Sequence, residues 1–437
     1  MSGGETQAED IMGFASSDPW EAGIWLAGWH ERELAQKLGI QDAYAAAEEK
    51  CNFQIGSVNF ENLQALYGRT LNLSASQIDR QAECRMSYFL KYGLRAKERK
   101  EITVDPAEFG TYVHAVLENT VRCIRDSGGF RKVSLEETME IAHRYSEEYA
   151  AQRFSQIASE RMTYLFRRNM QELDMVVREL WEELRESLFE PREFEVNFGG
   201  QGGQPAIAIA NNSMNAILRG FVDRVDTWHR QGSDYYRVVD YKTGRKDFDY
   251  CDVFNGVGLQ MLLYLFALRS SGEDLLGSNP VPAGVQYFPA RAPYLPADGK
   301  LNSEEAERLR SSQWKRKGLL LNDQEILQAM EPGDCPKRMS YSVKKDGALS
   351  GDLADREQLK LLEGYVFRLL AHMVEEIASG IVEPNPYTRG SSHSACDYCP
   401  YGTICHEKTV EGRRNYKTMS AQRFWEEIGK VMTGHGR

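Results

Sequence analysis

From residue 134 to residue 189 the chain contains neither glycine nor proline, and directly afterwards the character of the sequence reverses. The first stretch carries apolar residues at helical spacing among many charges, which predicts one or two long helices. Segments 193–198 (EFEVNF), 206–210 (AIAIA), 215–228 (NAILRGFVDRVDTW) and 235–242 (YYRVVDYK) then turn aliphatic, β-branched and aromatic, with Gly-, Asn- and Ser-containing breaks between them. They predict successive strands, the last two joined through the hairpin loop HRQGSD. An apolar helix follows from Leu259 to Leu268, then a strand from Val281 to Phe288. Residues 107–126 predict an earlier helix, and 352–379 a later one stopped by Gly380 and Pro384. Ser74 or Ser76 is placed to cap a helix through the Cys84 region, and 303–330 reads as helix and then loop.

Charge gives a second constraint. Over 437 residues the formal net charge is −11, and the first fifty residues hold ten acidic and three basic side chains. Residues 85–100 reverse that balance, with Arg85, Lys91, Arg95, Lys97, Arg99 and Lys100 against Glu98 alone. Nucleic-acid binding depends on such a local basic face and not on the total, so DNA remains an open partner. Tyr88, Phe89 and Tyr92 interleave with these cations, as stacking on bases would require, although a solvated helix surface gives the same pattern. Arg167-Arg168, Trp314 to Lys317 and Arg413-Arg414 are lesser basic groups. The polar, acidic N-terminus shows no signal peptide, and the apolar run Met261–Leu268 is far too short for a bilayer. The expectation is a cytoplasmic protein with no membrane partner. Residues 1–73 read as short helices without chemistry, and no Walker-type phosphate loop occurs anywhere.

The strand VVDYK carries Asp240 and Lys242 at i and i+2, on one side of a strand. Across the hairpin, GFVDRVD offers Asp223 and Asp226, with Asp223 able to approach Asp240. Two carboxylates at one point form a hard-oxygen site for Mg²⁺ or Mn²⁺, and a lysine beside them can orient water or offset charge on a phosphate. His114 and Glu118 share a helical face at i and i+4, where the imidazole is a further ligand candidate. Gln260 and Tyr264 do the same on the helix after the DYK strand, where they could hold the lysine or a DNA phosphate. Each element alone is common: D-x-K on surface strands, a structural histidine on a helix, an outward Arg224–Asp226 pair. The order is what is specific.

That order resembles the PD-(D/E)xK nuclease superfamily, in its RecB-like branch, through Gly110-Thr111-x-x-His114-x-x-x-Glu118, Gly220-x-x-Asp223-Arg224, Asp240-Tyr241-Lys242-Thr243-Gly244 and Gln260-x-x-x-Tyr264. The resemblance implies an α/β fold with a restriction-endonuclease-like core, a mixed sheet flanked by helices, here with long helical insertions. It implies that His114, Asp223, Asp240 and the carbonyl of Tyr241 bind the catalytic metal. Lys242 is then catalytic, with Gln260 and Tyr264 beside it.

Cys396-x-x-Cys399-x5-Cys405 places three thiols in a short loop. A fourth ligand could come from His393, His406 or a distant cysteine such as Cys84. Spacing alone leaves zinc, an iron–sulfur cluster and unligated thiols open. One group of RecB-like nucleases, including those of AddAB-type helicase–nucleases, joins one cysteine before the core to three after it through a [4Fe–4S] cluster. The lead-in SQIDRQAECRMSYFLKYGLRAKERKE resembles theirs, which implies Cys84, Cys396, Cys399 and Cys405 as the four ligands. A departure is Arg85, where a proline usually follows that cysteine. The remaining thiols, Cys51, Cys123, Cys251 and Cys335, have no motif.

The resemblance covers roughly residues 74–437, a nuclease domain closed by the cluster, and leaves 1–73 as an N-terminal extension or the end of a helicase-like region. It implies a Mg²⁺-dependent exonuclease on single-stranded DNA or duplex ends, cutting 5′–3′ in double-strand-break processing together with an AddA-like helicase partner. A stand-alone RecB-like exonuclease and a non-catalytic DNA-binding scaffold are the alternatives.

Overall fold

A computed structural model describes residues 18–28, 31–51, 57–97, 106–154, 160–200, 203–211, 213–271, 273–277, 279–293, 302–333, 335–390, 393–405 and 412–434. The chain divides into two compact units, Met1–Ser57 and Val58–Arg437. The first contains helices α1 (Pro19–Gly28), α2 (Arg32–Lys37) and α3 (Gln41–Cys51). Its small core is built from Ala22, Leu26, Ala35, Ile40, Tyr44 and Ala47. Trp29 lies outside the described residues.

The second unit begins well before the expected boundary at residue 74. After α4 (Phe60–Tyr67), strand β1 (Thr70–Ser74) pairs in parallel with β4 (Asn215–Arg230), so these residues belong to the main sheet. Ser74 then caps α5 (Ala75–Glu83) in a capping box with Gln77, closing one expected alternative. The short α6 (Arg85–Tyr88) runs on into a π-helical turn, Phe89–Gly93. Three long helices follow: α7 (Pro106–Asp126), α8 (Leu135–Phe154) and α9 (Glu160–Glu186).

Strands β2 (Glu190–Phe198) and β3 (Ile207–Ile209) both run antiparallel to β4, and β5 (Ser233–Lys242) pairs with β4 across the hairpin. The hairpin turn puts Gln231 and Gly232 at φ of 50° and 76°, the left-handed pair that a type I′ turn requires. Helices α10 (Tyr250–Phe254) and α11 (Gln260–Ser271) lead to β6 (Pro280–Pro289), which lies parallel to β5. After α12 (Ser303–Gln313) comes β7 (Lys317–Leu321), antiparallel to β6, in a region expected to be helix and then loop. Helix α13 (Gln324–Met330) and the edge strand β8 (Leu353–Ala354) complete an eight-stranded mixed sheet.

Helices cover both faces of this sheet. One core joins it to α5, α11, α13, the long α14 (Arg356–Ala378) and the C-terminal α16 (Ala421–Met432). The other joins it to α7, α8 and α9. Helices on both faces leave β5 buried without alternation from Tyr236 to Tyr241, and explain why α11 is apolar all round. Beyond α14, strands β9 (Tyr387–Arg389), β10 (His393–Ser394) and β11 (Arg414–Tyr416) form a three-stranded sheet around the cysteine loop and its short helix α15 (Gly402–Cys405). No helix among the described residues is long and apolar enough to cross a membrane.

Candidate active site

The register of β2, β4 and β5 lines up three carboxylates. Phe194 pairs with Arg224 and Val196 with Val222, so Glu195 falls level with Asp223. Arg224 pairs with Val239, so the same register carried one step further sets Asp223 level with Asp240. The ladder stops there. The N–H of Tyr241 donates instead to the carboxylate of Asp223, at 2.8 Å. From α7, His114 reaches the same place, with Nε2 2.7 Å from the Tyr241 carbonyl and Nδ1 3.4 Å from Asp223. Donor atoms of His114, Glu195 and Asp223 lie within 4.8 Å of one another.

Glu195 is not among the residues that the sequence motifs point to. It has φ of +47°, uncommon for a residue with a side chain. Strand alternation would place Phe194 and Val196 on one face, yet Phe194 packs into the core under α7 and Val196 into the opposite one. The left-handed residue between them resets the alternation and aims its carboxylate at the site. The signal lies in the register: EFEVNF reads as a strand, and pairing it with GFVDR puts its second glutamate beside Asp223.

These acids crowd one another. Burial, then Asp223 and Glu118, push the Glu195 carboxyl up to about 7. Burial and the neighbouring Asp223 push Asp240 up to about 6, against the opposing pull of Lys242 and His114. Lys242 forms an ion pair with Asp240. His114 is raised: burial opposes its charge, but Asp223, the Tyr241 carbonyl and Asp240 together favour it. Three carboxylates, an imidazole and a main-chain carbonyl form a hard, mostly oxygen donor set that fits a divalent cation such as Mg²⁺ or Mn²⁺. Asp240 stands beside the His114–Glu195–Asp223 group, its carboxylate engaged by Lys242. Glu118 ion-pairs with Arg122 at 2.7 Å and adds negative charge from the side.

Gln260 hydrogen-bonds the phenol of Tyr264, and that phenol also meets the backbone of Phe221. The strand passes so close that a Cβ on Gly220 would lie 1.9 Å from the Tyr264 oxygen, which accounts for the glycine three residues before Asp223. The Tyr264 ring stacks on Phe198 with centroids 6.0 Å apart.

The structure corrects the outward reading of Arg224 and Asp226, which are fully buried. Arg224 donates to Asp226 at 2.7 and 2.9 Å and to the phenol of Tyr241 at 2.9 Å. Arg237 donates to Asp226, Glu183 and Gln286, each at 2.9 Å, and Arg316 donates to Glu183 at 2.8 Å. Burial penalises the Glu183 charge, but Arg316, Arg237 and Arg224 overcome it and hold the carboxyl at about 2.

Cys84, Cys396, Cys399 and Cys405 line one pocket with Met86, Ser87, Pro384, Pro386, Ala395 and Tyr401. None of the four is in a disulfide. Four thiols converging from two ends of the sequence are a donor set that fits a tetrahedral metal or a cubane cluster. His393 is exposed and does not line the pocket, and His406 lies outside the described residues. Cys251 is buried, Cys123 is partly buried and Cys335 is exposed, each away from this pocket; the Cys51 side chain lies outside the described set.

The basic stretch is only partly a surface. Lys91, Arg95 and Lys97 are exposed, while Arg99 and Lys100 lie outside the described residues. Arg85 is instead paired with Glu376, and Tyr88 is buried against Tyr67 and Tyr92, so neither is presented to a ligand. Arg316 is buried in the ionic network with Trp314 beside it, and Arg414 is engaged by main-chain carbonyls. Arg168 pairs with Glu172 at 3.6 Å.

The chain is also similar to known proteins. The profile of the PD-(D/E)XK nuclease superfamily matches residues 72–406. The chain belongs to this superfamily. Its sequence is 35% identical over 390 residues to the B subunit of an ATP-dependent helicase/deoxyribonuclease of Acetivibrio thermocellus, covering 86% of this chain and 33% of that protein. Proteins of the same name from Moorella thermoacetica and Clostridium novyi are 36% and 32% identical, over 80% and 87% of this chain and 31% and 34% of theirs. The chain spans about a third of the length of the curated relatives it matches. As expected for the superfamily, the second unit is a mixed sheet flanked by helices.

Proposed function

We propose that the chain is the nuclease part of one subunit of an AddAB-type helicase–nuclease, the AddB-like one. It would be a Mg²⁺-dependent deoxyribonuclease that hydrolyses single-stranded DNA during the processing of double-strand breaks. The observation that carries this reading is the carboxylate row Glu195–Asp223–Asp240, with His114 above it and Lys242 at its end. The relatives' name supplies the deoxyribonuclease activity and the motor context.

His114, Asp223, Asp240 and the Tyr241 carbonyl would hold the metal, with Glu195 alongside. Bound there, a divalent cation would polarise the scissile phosphate and lower the pKa of attacking water. Lys242, held by Asp240, is set to orient that water and to offset charge on the phosphate. Tyr264, fixed by Gln260, seals the site against the backbone at Phe221. The four-thiol pocket would hold a [4Fe–4S] cluster, closing a loop of about 310 residues, the kind of long loop whose closure constrains the unfolded chain most in theory. An AddA-like motor protein is the partner this reading requires. A cytoplasmic location fits it.

Cleavage of 5′- and 3′-labelled single-stranded oligonucleotides tests the proposal, using anaerobically purified protein with and without Mg²⁺. Metal-dependent cleavage that vanishes in Lys242→Ala is expected, with products from the 5′ end. Equal cleavage by Lys242→Ala would defeat the assignment.

A further inference from the structure

The two residues on either side of Cys84 are both tied to the segment that carries the other three cysteines. Before it, Arg414 donates to the carbonyls of Ala82 and Glu83, the last two residues of α5 ahead of Cys84. The same guanidinium donates through Nε to the carbonyl of Asn385, at 2.8 Å. After Cys84, the N–H of Arg85 donates to the Asn385 side chain, also at 2.8 Å, and the Arg85 guanidinium pairs with Glu376. The base of the cysteine loop is closed independently, by β9 and β11 pairing in parallel and by Thr388 donating to the Arg414 carbonyl at 3.0 Å.

Cys84 itself adopts an extended conformation (φ −166°, ψ 121°) at the break between α5 and α6, as the C-cap of one and the N-cap of the other. At a helix end the last carbonyls have no intrahelical partner, and a cationic side chain is a favourable one. Arg414 takes that role here for the very turn that aims Cys84. The departure at position 85 fits as well. A proline there has no N–H, so Asn385 would lose its donor; arginine supplies both that N–H and the ion pair with Glu376.

We infer that Arg414, acting with Asn385, is the residue that positions Cys84 against Cys396, Cys399 and Cys405, so that the four-thiol pocket is assembled by protein contacts before any metal enters. Arg414 is a positioning residue: it touches the main chain on the approach to Cys84 and no thiol. The part of this inference that concerns cluster loading rests on the iron–sulfur reading proposed above; the part that concerns the assembled pocket does not.

The test uses the full chain as wild type, Arg414→Leu, Arg414→Lys, Cys84→Ala and the double variant Cys84→Ala/Arg414→Leu. In metal-free protein, mild oxidation with diamide should link Cys84 to one of the three loop cysteines, read by peptide mass spectrometry. Arg414→Leu should lower that yield at least five-fold, and Arg414→Lys should restore part of it. An unchanged yield in Arg414→Leu, with the protein folded by circular dichroism, overturns the inference whatever metal the protein carries.

In anaerobically purified protein, iron, acid-labile sulfide and absorbance near 400 nm are then compared. Loss in Arg414→Leu should match loss in Cys84→Ala, and the double variant should be no worse than either, because both act on one ligand. Additive losses would show that Arg414 acts elsewhere. A wild type without iron but with the Arg414-dependent crosslink removes the cluster reading alone and leaves the positioning role standing.

Discussion

Arg224, with no exposure to solvent, donates at 2.9 Å to the phenol of Tyr241, the residue whose main chain meets both Asp223 and His114. The site is thus anchored from beneath by an ionic network that the solvent does not reach. Tyr241→Phe removes one oxygen and leaves an Arg224 N–H without its acceptor, which should cost about 1–3 kcal/mol of stability. Arg224→Met opens the network itself and should cost about 3–5 kcal/mol, because Asp226 loses one of its two buried partners. Urea unfolding of both variants checks the order. Equal stability of Tyr241→Phe and wild type would mean that the phenol is not an anchor.

Metal affinity should depend on pH in a defined direction. Glu195 and Asp240 have carboxyls raised to about 7 and about 6 by burial and by neighbouring acids. A cation takes the ionised forms, so its binding must expel their protons. Affinity for Mg²⁺ should therefore rise from pH 5 to pH 8 and level off above. The linked stability has the opposite sign: raised acids favour the folded state at low pH, and that contribution is lost as pH climbs through 6 and 7. Metal-free protein should melt lower at pH 8 than at pH 5.5 on this account, with Mg²⁺ restoring the difference. Calorimetry in two buffers of different ionisation enthalpy counts the protons released.

Much of this site is legible in the sequence because its residues come in short, rigid spacings. Asp240 and Lys242 are i and i+2 on a strand, Gln260 and Tyr264 are i and i+4 on a helix, and local geometry fixes such pairs. Glu195 escapes because its place depends on a register between distant strands and on one left-handed residue. Arg224 and Asp226 read as outward for a related reason. Charges on a strand are usually solvated, and only the partners from α9, β5, β6 and the residue just before β7, far apart in sequence, make their burial tolerable. Strand β7 is hidden because KGLLL is too short to announce itself, its pairing with β6 being supplied by the sheet. The thiol pocket is found through resemblance, since spacing alone brings three cysteines together and says nothing of Cys84.

The left-handed conformation of Glu195 predicts a conflict between stability and metal binding. For a residue with a Cβ that conformation costs about 1 kcal/mol, and for glycine it does not. Glu195→Gly should thus raise the melting temperature at pH 8, where it also removes a crowded acid, while weakening Mg²⁺ binding. Glu195→Gln keeps the backbone strain and loses the charge, so it should weaken Mg²⁺ equally and stabilise less. Thermal melts of the two variants beside Mg²⁺ titrations separate the two contributions. A Glu195→Gly protein less stable than Glu195→Gln would refute the strain argument.

The close approach of Gly220 to Tyr264 gives the last prediction. A methyl group at 220 would meet the Tyr264 oxygen at 1.9 Å and the ring carbon bearing it at 2.8 Å, so the ring must move. The ring is also stacked, almost parallel at 5°, on Phe198, the residue paired with Gly220 across β2 and β4. With little room to yield, Gly220→Ala should cost about 1–3 kcal/mol, as overpacking of a dense interior does. It should also lower cleavage more than that loss of stability explains, because Tyr264 lies within the electrostatic reach of Asp240 and Asp223. Adding Tyr264→Phe removes the worst contact but leaves the ring carbon close. The double variant should recover part of the stability and none of the activity that the phenol supports. Full recovery of cleavage in the double variant would show that the phenol is not needed, and that Gly220 serves only to let the strand pass.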